Sequence, residues 1–177
     1  KLDDLFSAFD NVPLAAASIA QVHLATTNEG DKVAVKILRP GIENAFNKDI
    51  ELLLWLAELI EAAHPESRRL KPVEVIRTFK ESTKIEMDLR LEAAAAEEME
   101  KNFNGDPYFK VTSVDCRRTS QRVLTIAQIN GIPIDERELL IESGFDPNDI
   151  VARAAAALFT QVFRDGFFHA DQHPGNL

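Results

Sequence analysis

The sequence predicts an α+β fold: a small meander of strands comes first, two long helices are inserted, two further strands follow, and a last helix runs into a polar loop. Three observations carry this. Apolar residues alternate with others through residues 19–38, the period of a half-buried strand. Through residues 40–63 and much of 72–103 they recur every three to four positions, the period of a helix packed on one side. Residues 151–163 are helical in pattern and run straight into the turn-rich stretch GFFHADQHPGNL at 166–177.

Taken in order, residues 2–13 hold Leu5, Phe6 and Phe9 and read as a first strand. Ala15, Ala16, Ala17 and Ser18 form a small-residue loop at the first bend. Residues 19–26 are a second strand, Asn28 to Asp31 a turn around Gly30, and residues 32–38 (KVAVKIL) a third strand. Pro40 opens the first helix, which packs through Ile42, Phe46, Ile50, Leu53, Leu54, Ala57 and Ile60; Pro65 lies just beyond its end. Core packing is also the expectation for the apolar run 52–60 with Trp55, ahead of a membrane or partner contact. Residues 72–103 read as one long helix bent near Glu86–Asp88, because Ile85, Met87, Leu89 and Leu91 alternate there while no Gly or Pro intervenes. Residues 108–114 and 122–129 read as two paired strands, and 134–142 as a short helix ending at Gly144. Asp146 or Asn148 caps the last helix, residues 147–164, which packs through Ile150, Val151, Ala154, Ala155, Leu158, Val162 and Phe163.

Composition narrows the function. The 177 residues suit one domain or two small lobes sharing a cleft, and 45% hydrophobic residues suffice for a core. A net charge of −9 argues against a nucleic-acid surface. The single cysteine, Cys116, allows neither an intrachain disulfide nor a cysteine-rich zinc module. The longest apolar stretch is interrupted by Glu58 and flanked by Glu51 and Glu61, so no segment is expected to span a bilayer.

The chemistry gathers at two places. In the C-terminal loop, His169, Asp171 and His173 alternate, and Asn176 follows Pro174–Gly175. A carboxylate five residues before an amide is the spacing at which a phosphoryl-transfer loop supplies one group beside the attacking atom and one metal ligand. A capped turn, or a metal site on the two histidines and Asp171, are the alternatives; the latter needs a further ligand from elsewhere. The second place is Lys36, set among valines on the third strand. An ammonium there is costly unless it reaches an anion. On a continuous helix Asp88 and Glu92 stand four apart on one face, so either could be that anion. A solvated acidic face and a lysine pointing to water are the plain readings.

Four blocks in this order carry a resemblance: AAASIAQVH at Ala15–His23, VAVK ending at Lys36, EMD at Glu86–Asp88 with Glu92 after it, and HADQHPGNL at His169–Leu177. Together they resemble the UbiB-type atypical kinase family, whose members support ubiquinone (coenzyme Q) biosynthesis. The resemblance covers nearly the whole chain. It implies a protein-kinase-like fold, with residues 1–129 as the N-terminal sheet lobe with its inserted helices, and 130–177 as the hinge and the first part of the helical lobe. It implies ATP or ADP and Mg²⁺ as ligands. Ala15, Ala16, Ala17 and Ser18 match an alanine-rich nucleotide loop, in place of the glycines that let backbone N–H groups approach phosphate closely. Lys36 matches the phosphate-binding lysine and Glu92 its ion-pair partner. Asp171 matches the catalytic-loop aspartate and Asn176 the Mg²⁺ ligand. Ala127, Gln128 and Ile129 match the hinge that meets adenine. Gln21, His23, Glu86, Asp88, His169 and His173 belong to the family's signatures.

There are departures. The family has proline where Gln172 stands, and its KxGQ and DFG segments are absent from this sequence, as is its C-terminal membrane segment. The sequence therefore reads as part of a longer protein, and by itself is expected to turn over ATP poorly. The resemblance further implies quinone-biosynthesis proteins or lipid intermediates as partners, and a place at the cytoplasmic face of a bacterial membrane or in mitochondria, with the chain itself soluble. Two other functions stay open: a small-molecule phosphotransferase of the aminoglycoside or choline kinase type, and a nucleotide-gated scaffold without useful catalysis.

Overall fold

The computed structural model describes residues 1–170. The strands are β1 (Phe6–Phe9), β2 (Ala15–Ala16), β3 (Ala20–Thr27), β4 (Lys32–Leu38) and β5 (Val123–Ala127). They form one antiparallel sheet in the order β1-β3-β4-β5, with β2 also paired to β3. The helices are α1 (Ile42–Ala63), α2 (Pro72–Glu86), α3 (Leu89–Asn102), α4 (Arg137–Glu142) and α5 (Pro147–Phe159). By contact the chain divides into two compact units, Lys1–Ala94 with Val114–Ala127, and Ala95–Ser113 with the residues from Gln128 onward.

In the first unit the sheet is apolar on both faces because β4 alternates. Val33 and Val35 point one way and pack with Phe6 and Ala25. Leu38 points the other way, into a cluster with Ala20, Leu124, Met87, Leu89 and Ala93. Lys36, two residues before Leu38, shares this second face. The hairpin between β3 and β4 turns at Gly30, whose φ of 99° lies where an L side chain would be strained. Outside the turn, Arg118 fastens the sheet to its surroundings: its Nε donates to the Leu5 carbonyl at 2.8 Å and its Nη groups pair with Asp115 and Glu29. The Glu29 carboxyl is held below the ordinary carboxylate range, first by its own backbone N–H and then by Arg118. A depressed folded-state pKa means that this contribution is complete at neutral pH and is lost as pH falls through the carboxylate range, at about pH 4 and below. Melting temperatures recorded from neutral pH into the acid range should therefore fall on the acid side, and Glu29→Gln should flatten part of that fall.

Several sequence expectations need correction. Residues 72–103 are two helices, α2 and α3, broken at Met87–Asp88. The break turns both Met87 and Leu89 into the sheet's core, while Ile85 and Leu91 remain exposed; that is the source of the alternation in sequence. Asp88 stands ahead of α3 and caps it, accepting the Arg90 N–H at 3.2 Å, so Asp88 and Glu92 are not a like-charge pair on one helix. Residues 108–114 form no strand. Asp106 instead accepts the N–H groups of Tyr108 and Phe109 in a turn, and only Val114 bridges to β5, at Ile126. The outer edge of β5 is filled by the 115–120 segment, where Thr119 Oγ1 accepts the Thr125 N–H at 3.1 Å. The first strand is only Phe6–Phe9, after a 3₁₀ turn at Leu2–Asp4, and the short helix starts at Arg137.

The long stripe on α1 is only partly covered. Ile50 and Ala57 are buried, and Ile42 and Phe46 reach the sheet's core, but Trp55 is 59% exposed and Leu52, Leu56 and Leu59 are exposed as well. The helix is apolar around more of its girth than α2, packed beside it, conceals. In the second unit Met99, Phe103 and Ala157 make a small core with Phe109, Val111 and Phe167 packed on it. Asp146 caps α5, its side chain accepting the Asn148 N–H at 2.8 Å. α5 buries Ala157 and half-buries the predicted Ile150, Ala154 and Leu158 on the same face, but the predicted Val151 is exposed, as are Val162 and Phe163 in the turn that follows. A π turn over Thr160–Asp165 shifts the phase of the helix and puts Gln161 inside.

Candidate active site

The site is built where α3 meets the Lys36 face of the sheet. Leu89 and Ala93, four residues apart, fix α3 to that face, and the Leu89 N–H donates to the Gln121 carbonyl at 2.9 Å. Glu92 lies beside this buried stripe. Lys36 Nζ donates to both of its carboxylate oxygens, at 2.9 and 2.7 Å, across 56 residues of sequence. Of the two acids the sequence offered to Lys36, Glu92 takes it, and Asp88 pairs with Arg90 instead, whose side chain holds the Asp88 carboxyl below its usual range. Ile19, Lys36, Glu86, Asp88, Leu91 and Glu92 line a cleft of about 400 Å³. The Lys36 and Glu92 side chains are 32% and 48% exposed, so the pair stands in the cleft wall, accessible to a ligand.

Because the cleft depends on α3 keeping its place, Leu89 controls it at one remove. Leu89 is 1% exposed. Leu89→Ala should cost about 2–5 kcal/mol of unfolding free energy, the range for truncating a buried leucine, while Leu89→Met should cost less than about 1.5 kcal/mol. Urea unfolding of the two variants checks this.

The predicted alanine loop runs into Ile19, which lines the cleft. Ala15 and Ala16 pair with Val22 and Gln21 on β3, and Ala17 and Ser18 make the bend, closed by the Ala17 N–H on the Ala20 carbonyl at 2.9 Å. Gln21 also pairs with Ile37 in the sheet. His23 is buried and stacks on Phe9, with ring centroids 5.2 Å apart. Its Nδ1 lies 2.8 Å from the Asp10 carbonyl oxygen; a carbonyl only accepts, so Nδ1 carries the proton. Ala127 ends β5, and the division between the two units falls between it and Gln128; Ile129 is 69% exposed. Glu86 sits on the cleft rim, exposed.

In the second unit, the His169 backbone N–H donates to Gln161 Oε1 at 3.0 Å. Gln161 is 2% exposed, and Gly166 ends the π turn at a φ of 63°, allowing the Phe167 N–H to return to the Gln161 carbonyl. Sequence reasoning missed Gln161, because a polar residue inside a helix gives no sign that a π turn will bury it. Asp171, His173 and Asn176 lie outside the described residues.

The sequence profile of the ABC1 atypical kinase-like domain matches residues 1–177, the whole chain. The chain belongs to the ABC1 atypical kinase-like family. Among its relatives, the protein named "Probable protein kinase UbiB" from Marinobacter nauticus is 42% identical over 176 residues, 99% of this chain and 32% of that protein. Its namesake from Azotobacter vinelandii is 40% identical over 177 residues, all of this chain and 33% of the relative. The chain thus spans about a third of the length of the curated relatives it matches. A solved structure described as the complex of Rv3197 with erythromycin, from Mycobacterium tuberculosis, superposes with a TM-score of 0.77 at 30% identity, covering 99% of this chain and 44% of that one. The ABC1 kinase-like fold is accordingly the fold of this chain, a mixed α/β arrangement with an antiparallel sheet and helices. Among the described residues no helix is long and apolar enough to cross a membrane.

Proposed function

We propose that this chain is the nucleotide-binding part of an atypical kinase or ATPase that takes ATP or ADP with Mg²⁺ and supports ubiquinone biosynthesis. One observation carries the reading: Lys36 reaches both oxygens of Glu92 at 2.7–2.9 Å beside an open cleft, although 56 residues separate them. An ammonium held by one carboxylate, with room beside it, is oriented for a phosphate group. The donor set suits a magnesium nucleotide: a cation for the phosphates in Lys36, and the carboxylates Glu86 and Asp88 on the same cleft, Asp88 held ionised by Arg90. In this reading Lys36 binds phosphate, Glu92 orients Lys36, the Ala15–Ser18 loop bounds the phosphates, and Ala127–Ile129 meet the base. Asp171 acts on the attacking group and Asn176 ligates Mg²⁺. The bound nucleotide supplies the phosphoryl group. The hinge then falls between Ala127 and Gln128, residues 130–177 begin the second kinase lobe, and the segment 95–113 of the expected first lobe packs in the second unit. Quinone-biosynthesis proteins or lipid intermediates would be the partners, at a membrane face.

The test uses the full-length protein. ATP and ADP are titrated with and without Mg²⁺ while thermal stability and phosphate release are followed. A Mg²⁺-dependent rise in melting temperature with release of phosphate supports an enzyme; no response to either nucleotide overturns the reading. The structural neighbour from Mycobacterium tuberculosis is a complex with erythromycin, and this favours a second reading, a small-molecule phosphotransferase. Phosphate transfer from MgATP to erythromycin, followed by mass, would support it, and ATP consumption indifferent to erythromycin would count against it.

A further inference from the structure

The loop Ala15–Ser18 is short, and its own hydrogen bonds fix only one side of it, through β2 and the Ala17–Ala20 turn. Its other attachment is Arg39, three residues beyond Lys36 on the chain. The Arg39 backbone N–H donates to the Ile19 carbonyl at 2.8 Å, and the Arg39 side-chain Nε donates to the Ala17 carbonyl at 3.1 Å. These two bonds bracket Ser18. Arg39 is itself fastened: Arg122 Nη2 donates to the Arg39 carbonyl at 3.0 Å, and Arg122 Nη1 pairs with Glu43 at the start of α1. Glu43 is held below the ordinary carboxylate range, first by its own backbone N–H and then by Arg122. A chain of contacts thus runs from Glu43 on α1 through Arg122, just ahead of β5, and Arg39 to the bend of the loop.

We propose that Arg39 is a positioning residue for the nucleotide phosphates, acting through the Ala15–Ser18 loop; this rests on the nucleotide reading above. The physical case has two parts. An alanine loop lacks the conformational freedom of a glycine loop, so its distance from the phosphates is set by what anchors it. A free backbone carbonyl turned toward a triphosphate would repel it, and the guanidinium engages the Ala17 carbonyl and places a delocalised cation beside it.

The experiment measures KM for ATP, kcat for phosphate release and the dissociation constant of MgADP in the full-length protein, for wild type, Arg39→Ala, Arg39→Gln and Arg39→Lys, with melting temperatures recorded alongside. Arg39→Ala should raise KM and the MgADP dissociation constant about tenfold and change kcat less than about threefold. Arg39→Lys, which keeps a charged donor, should recover most of the loss, and Arg39→Gln, which keeps a neutral donor, should recover less. Should Arg39→Ala fail to fold, the lysine and glutamine variants still give the ordering. Nucleotide binding by the wild type with KM unchanged in every folded variant overturns the role of Arg39 alone. A fall in kcat with KM unchanged also overturns it. No nucleotide binding by the wild type overturns the reading beneath it, and this role with it.

Discussion

Lys36→Met should lower affinity for ATP and ADP on the order of a hundredfold in the full-length protein and leave its melting temperature nearly unchanged. The two halves of this prediction come from different features of one contact. The Lys36–Glu92 pair is half exposed, and exposed ion pairs contribute only about 0–1 kcal/mol to folding, so the fold loses little. A hundredfold loss of affinity is about 2.7 kcal/mol, within the range of a charge-assisted hydrogen bond removed from an anion. Methionine keeps the apolar stem, so the packing of β4 is preserved. Glu92→Gln should have a smaller effect, about tenfold, because the cation remains and only its orientation is relaxed. Calorimetric titration of MgADP against the three proteins, with melting curves, measures both halves. A drop in stability as large as the drop in affinity would recast the pair as a structural bridge.

The parts of the fold that can be read in sequence are those where local pattern and tertiary packing agree. β4 is legible end to end because its alternation corresponds to two buried faces, Val33 and Val35 on one and Leu38 on the other. α1 is legible as a helix, but its buried face is not, since Leu52, Trp55 and Leu59 have the same spacing as a core stripe and yet face solvent. The α2–α3 break escapes the pattern because an aspartate can cap a helix or sit within one; what decides it is that Met87 and Leu89 both gain burial when the helix is interrupted. Residues 108–114 have strand-like composition, but Phe109 meets Phe103 at a ring-centroid distance of 4.5 Å, and only Val114 of the segment bridges to a strand.

The candidate site is legible in its residue types more than in its geometry. The sequence narrows the partner of Lys36 to two acids, and folding selects Glu92 because Arg90 stands two residues from Asp88 and takes it. What no motif signals are the supports. Arg39 works through its Nε and backbone, and Gln161 through one side-chain oxygen on the His169 N–H. Such contacts depend on where two backbone segments come to lie, which a one-dimensional pattern does not record.

Asp171→Asn should give the opposite signature to Lys36→Met: MgATP affinity within about threefold of wild type, and phosphate release lower by roughly 10²–10⁴, the contribution typical of a positioned acid–base group. Asparagine keeps the size and one hydrogen-bonding oxygen of aspartate and removes the charge and the ability to take a proton. If Asp171 accepts or orients the proton of the attacking hydroxyl or water, the ground-state complex survives and the barrier rises. If the loop serves only to hold nucleotide, binding and release fall together, or neither changes because there was no release to lose. The paired variants therefore separate an enzyme from a nucleotide-gated scaffold, two functions that share every residue from Ala15 to Glu92. The distinction depends on the last stretch of the chain, since Lys36 and Glu92 would be needed equally by a protein that hydrolyses ATP and by one that only closes around it.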